Sequence, residues 1–178
     1  MKPKSKAPKR GKNVRKWLLP VIFLAILALA SVVVFFLKND TPTKVGPQFR
    51  KEGTLQFLST AEGKQIQEIE IEIADDDLSR ERGLMWRKHM EPNQGMLFIM
   101  QEEDMLAFWM LNTYISLDLL FVNHDMRIVT IRNDVQPQRL DRIPSTEPAK
   151  YVVEVNGGFC ARHGIKVGDL IKFNRDLR

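Results

Sequence analysis

Residues 17–37 form an uncharged apolar run of 21 residues, broken in character only by Pro20 and Ser31. A helix of that length, rising about 1.5 Å per residue, spans about 30 Å, the thickness of a bilayer's hydrocarbon core. Residues 1–16 carry Lys2, Lys4, Lys6, Lys9, Arg10, Lys12, Arg15 and Lys16 and no acid. Such a flank is retained in the cytoplasm. The expectation is a basic cytoplasmic tail (1–16), a single transmembrane anchor (17–37) in contact with membrane lipid, and everything beyond it outside the cytoplasm, periplasmic in a Gram-negative cell. The competing reading is a signal peptide cleaved after Ala30, since Ala28-Leu29-Ala30 has the small-x-small pattern. The apolar run continues through Val32 to Leu37, where a cleavage region is normally polar, so the anchor is preferred.

The formal charge of +5 belongs to the tail. Taking its eight cations from the 27 basic residues leaves 19, against 22 acids. The outer part has no basic stripe with interleaved aromatics, so no nucleic-acid partner is expected. Cys160 is the single cysteine, so stability has to come from packing and not from an internal disulfide.

Residues 38–52 contain Asn39, Asp40, Thr41, Pro42, Gly46 and Pro47 and read as a polar linker. Residues 53–178 read as one mainly β domain. Ile69, Ile71 and Ile73 alternate with Glu68, Glu70 and Glu72, the period of a half-buried strand. Asp75-Asp76-Asp77 then supplies an N-cap for a helix running to about Trp86. Short strands are expected over 96–100, 106–110, 117–122, 127–132 and 151–155, with a hairpin turn at Asn123-His124-Asp125. The three prolines of 134–150 mark a long surface loop, and a helical piece over 159–163 ends at Gly164. The fold class is mainly β with a minor α component: a compact β-sandwich or barrel-like domain with one or two short helices.

In 117–122 both alternating faces are apolar except for Asp118, so the strand is expected to be buried on both sides. Glu154, between Val153 and Val155, has a similar setting. A buried carboxylate needs a cation or several donors, and Arg82 and Arg87 are the candidate cations. The functional reading gathers Arg82, Trp86, Trp109, Asn112, Asp118 and Glu154 into one pocket, with the tryptophans as aromatic walls. The plainer reading, a satisfied structural network, is preferred. The methionines at 85, 90, 96, 100, 105 and 110 are spaced as core filler and not as a copper site. Cys160 and His163, an i, i+3 pair, read as a buried thiol near a surface histidine. No metal, cofactor or catalytic residue is assigned.

A set of blocks in fixed order carries a resemblance. It comprises Arg82-Gly83-Leu84-Met85-Trp86-Arg87, Gly95-Met96-Leu97-Phe98, Phe108-Trp109-Met110-Leu111-Asn112-Thr113, Leu117-Asp118, Glu154-Val155-Asn156-Gly157-Gly158, Gly164 and Gly168-Asp169. Together they cover nearly all of 55–175 and resemble the bacterial and archaeal family called domain of unknown function 192. The resemblance implies a compact, mostly β domain, often exported or membrane-anchored, and implies no enzyme activity, cofactor or catalytic residue. Leu111 departs from it, standing where the family pattern usually has lysine, and Cys160 is outside the pattern.

Three functions follow as expectations, in this order. The first is a tethered module binding a small polar molecule or peptide. The second is an envelope interaction or assembly factor. The third is a hydrolase using Asp118 and Glu154.

Overall fold

A computed structural model describes residues 46–176 and, apart from them, Phe23. The tail and the apolar run of 17–37 otherwise lie outside the described residues. Among the described residues no helix is long and apolar enough to cross a membrane. The chain divides into two units at residues 44 and 45.

The second unit is built from β1 (Gly53–Leu58), β2 (Gln65–Ala74), α1 (Asp77–Arg82), β3 (Gln94–Asp104), β4 (Ala107–Phe108), β5 (Leu117–Val122), β6 (Ile128–Val135), β7 (Ile143–Pro144), β8 (Ala149–Asn156), α2 (Phe159–His163) and β9 (Leu170–Arg175). Seven strands form one sheet in the order β6-β5-β8-β3-β2-β1-β9, and β4 pairs with β7 apart from it. The domain is therefore mainly β with two short helices among the described residues.

One pair in the large sheet, β2 with β3, is parallel. A parallel pair cannot be joined by a tight turn and needs a crossover. Residues 75–93, including α1, supply it. Asp76 caps α1 as its sequence predicts: its carboxylate accepts from the Ser79 amide at 2.9 Å while Ser79 Oγ accepts from the Asp76 amide. That bond holds the Asp76 carboxyl below the usual carboxylate range. The helix stops at Arg82 and not near Trp86. Gly83, at φ 46° and ψ −134°, breaks the helical path.

The sheet bends round on itself, so that its edge strands meet at one end. Ile128 N–H donates to Asp169 O at 2.8 Å, and Ile171 N–H to Met126 O at 2.9 Å. The inner face holds Leu55, Phe57, Ile69, Ile71, Leu97, Leu120, Val153 and Val155, with Phe159 and Cys160 of α2 packed into the same cluster. The outer face of β3, β5 and β8 is buried too, under Leu84, Met90, Met110 and Ile143 from the long connections. All six residues of β5 are buried, as the two-sided apolar pattern requires. Met85, Met90, Met96 and Met110 are core residues, while Met105 is exposed.

The end of the predicted linker lies along the domain. Arg50 N–H donates to Glu72 Oε1, and Glu52 N–H to Ile71 O. The predicted 134–150 loop contains β7, and the strand expected at 106–110 is the two-residue β4. Gly95 lies where β3 is squeezed between its neighbours. A Cβ there would sit 2.8 Å from Glu154 O and 2.9 Å from Ile69 Cδ1. Gly95→Ala is expected to cost about 1–3 kcal/mol, because the backbone carbonyl cannot yield without shifting β8. An unchanged urea midpoint would contradict this close approach.

Candidate functional site

The sheet register decides which of the predicted site residues meet. Cross-strand partners point to the same face, and successive residues to opposite faces. Asp118 pairs with Val155, and Leu119 with Glu154. Asp118 therefore faces the inner core and Glu154 the outer one, with the sheet between them. An acid–base pair of Asp118 and Glu154 is excluded by that geometry.

Asp118 is fully buried and takes backbone donors in place of the predicted arginine. Its Oδ1 accepts from the amides of Asp134 at 2.7 Å and Gly158 at 2.9 Å, and its Oδ2 from the amide of Cys160 at 2.8 Å. It caps the first turn of α2, whose own N-cap, Gly158, has no side chain to do so. Asp118 is a structural residue, and the satisfied network expected at this position is one of amides. Burial, and then the adjacent Asp118 charge, push the Cys160 thiol far above its ordinary range, so it stays protonated and non-nucleophilic. His163 packs against Phe159, with ring centroids 4.5 Å apart.

Arg87 is paired with neither Asp118 nor Glu154. Its Nη2 lies 2.5 Å from Glu72 Oε2, both side chains being nearly buried. Its Nε has no hydrogen-bond partner among the described residues. Burial raises the Glu72 pKa, and the Arg87 charge partly offsets that rise.

Glu154 is the exception. It is 5% exposed, and among the described residues its carboxyl has no hydrogen-bond or ion-pair partner, its oxygens keeping slight contact with solvent through the opening. Burial alone pushes its pKa up to about 8. Glu154 lines a narrow slot of about 30 Å³ together with Gly83, Phe98, Phe108, Trp109, Leu111 and Thr113. The slot shares Glu81, Arg82, Met85, Trp109 and Leu111 with a wider cleft of about 600 Å³. Pro47, Leu78, Trp86 and Asn112 complete that cleft. Five of the six predicted residues thus gather around one continuous opening, and Asp118 alone is elsewhere.

The cleft wall is built by strained backbone. Trp86 at φ 61° and Asn112 at φ 54° both have positive φ, which asparagine tolerates but which is costly for a side chain the size of tryptophan. Trp86 N–H donates to Asn112 O at 2.7 Å, which ties the two loops together. Trp86 and Trp109 remain about half exposed, and Leu78 is 64% exposed. The cleft thus holds apolar side chains open to solvent beside an acid that has no protein partner among the described residues. A larger cleft, of about 700 Å³, lies at Arg50, Lys51, Asp75 and Arg175. Its charges already neutralise one another, Arg175 with Asp75 at 2.8 Å and Arg50 with Glu52 at 2.7 Å.

Sequence reasoning missed Pro47, Leu78, Glu81, Met85, Leu111 and Thr113 as wall residues. Exposed Leu78 breaks the expected solvent face of α1, and that was the available signal. Leu111, the departure from the family pattern, is part of both the slot and the cleft.

The DUF192 family model, described as an uncharacterized ACR, matches residues 58–173. The chain belongs to the DUF192 family. All the slot and cleft residues except Pro47 fall inside the matched span. This DUF192 chain is 30% identical, over 121 residues, to a UPF0127 protein of Pyrococcus furiosus, with 67% of this chain and 98% of the relative covered. A crystal structure from Sinorhizobium meliloti, described as that of a candidate transcription regulator, superposes with a TM-score of 0.66 at 34% identity, covering 71% of this chain and 98% of that one. A second, of a Novosphingobium aromaticivorans protein of unknown function, gives 0.63 at 34% identity, covering 67% and 83%.

Proposed function

We propose that this DUF192 chain is a membrane-tethered, extracytoplasmic binding module. Residues 17–37 hold it in lipid, and the cleft between Trp86 and Trp109 takes a small polar ligand whose tip reaches Glu154. One observation carries the reading: the nearly buried Glu154 carboxyl, without a protein partner among the described residues, opens into a cleft walled by half-exposed tryptophans. A bound donor or cation would supply the partner that the protein does not. The basic tail and the apolar run support the orientation.

Thermal-shift screening of the full-length chain against metabolites and short peptides tests it. A binder raises the melting temperature and perturbs tryptophan fluorescence. Trp109→Ala weakens that binder about tenfold, the loss of one aromatic contact. A broad screen without a shift would overturn the module. A periplasmic reporter fused after Arg178 tests the compartment independently, and activity confined to the cytoplasm would reverse the orientation.

The envelope-interaction reading draws on the same residues, because Leu78, Trp86 and Trp109 ring the cleft. Capture of a partner whose binding Trp109→Ala leaves intact would move the interface away from the cleft.

A further inference from the structure

The geometry points to a primary ammonium group as what the slot beside Glu154 receives, brought by a free alkylamine or by a lysine side chain. This deepens the ligand-binding reading and rests on it. The first ground is contrast between two acids on one sheet face. Glu72 and Glu154 flank Met96 in register on β2, β3 and β8. Glu72 has Arg87 and the Arg50 amide. Glu154 has no such partner among the described residues.

The second ground is size. The slot, of about 30 Å³, is small beside the 600 Å³ cleft it adjoins, so a compact ammonium enters it more readily than a wider planar guanidinium. The third is the wall. Phe98 and Phe108 meet edge to face, with centroids 5.0 Å apart, and Trp109 stands beside them. These apolar walls limit water beside the acid, which strengthens its attraction for a cation.

The charges facing the slot come from α1. Arg80 is already bound to Asp77 and to the carbonyls of Asp75 and Ile99. Glu81 and Arg82 stand at the exposed mouth, one of each sign. β3 and β5 present uncharged Met96 and Leu119 beside Glu154, and the 109–113 loop presents Trp109 and Thr113. Burial keeps Glu154 protonated at neutral pH. When R–NH3+ enters, the carboxyl releases its proton to solvent and a carboxylate–ammonium pair remains.

Calorimetry on the full-length chain in detergent tests this, with cadaverine and Nα-acetyl-lysine methylamide as probes. The norleucine and arginine methylamides are controls. We expect at least one amine to bind tenfold or more tighter than both controls. About one proton is released at pH 7, read as a difference between phosphate and HEPES buffers, which contain no primary amine, and affinity rises about tenfold from pH 7 to pH 9. Glu154→Gln loses the proton release and at least tenfold in affinity. Leu111→Lys, which places a tethered ammonium beside the slot, weakens the amine and raises the melting temperature. Binding of cadaverine assigns the site to free amines, and binding of the lysine derivative alone assigns it to lysyl peptides. Norleucine binding as tightly as lysine, or amine binding that Glu154→Gln leaves unchanged, overturns the ammonium at Glu154 while leaving a ligand cleft in place. Silence from the amines overturns it too; a neutral hit in the wider screen would then spare the cleft, and no hit would end both readings.

Discussion

Between pH 5 and pH 8 the wild-type domain loses on the order of 4 kcal/mol of stability relative to Glu154→Gln. The Glu154 carboxyl has a folded pKa of about 8, against an ordinary 4.5. The sign follows from proton binding. Between those two values the native state holds a proton that the unfolded chain has released, so raising the pH favours unfolding at about 1.4 kcal/mol per unit. The stabilising protonation is fully present below about pH 4.5 and is lost as the pH rises through about 8. Glutamine keeps the shape of the protonated acid and cannot ionise, so Glu72 and the other titrating groups cancel in the comparison. Urea unfolding of both chains at several pH values gives the difference directly. Parallel stability curves would mean that the carboxyl is solvated in the folded state, and the case for a dry, partnerless acid would collapse.

The second large effect belongs to Asp118. Asp118→Ala strands the buried amide of Cys160 and the part-buried amides of Asp134 and Gly158, and is expected to cost about 2–4 kcal/mol. Because Asp118 holds the first turn of α2, the loss also loosens Phe159, which packs 5.6 Å from Phe57 in the inner core. Asp118→Asn keeps one acceptor oxygen and is expected to cost about 1–3 kcal/mol. Ligand binding in the cleft should be unchanged in Asp118→Asn, since the sheet lies between. A folded Asp118→Asn protein with weakened cleft binding would show that the two faces communicate, contrary to the register.

The two acids illustrate what a single sequence can and cannot convey. Each sits among apolar neighbours, so each reads as buried, and each is. Their environments differ through pairing. Asp118 opposes Val155 and Glu154 opposes Leu119, and that register is set by long-range packing between β5 and β8. Nothing local relates the parity of one strand to that of the other. Arg87 shows the same limit, for its proximity in sequence to the aromatic block says nothing of Glu72 as its partner. The α1 boundary fails for a local reason instead: apolar spacing continues past Gly83, but the glycine backbone does not.

Alternation alone determined β2, the two-sided apolar run alone determined the burial of β5, and the run Asp75-Asp76-Asp77 alone placed the start of α1. Each depends on residues within one element, where backbone period and side-chain character are coupled directly. The blocks that carry the family were likewise legible as a linear order. Tertiary structure decided the cleft. It required the crossover after β2, which carries Trp86, and the loop carrying Asn112 to converge on the outer face of β8. It also decided that Glu154 would be left without a counter-charge, because solvation and pairing are properties of the packed neighbourhood and not of the chain's order.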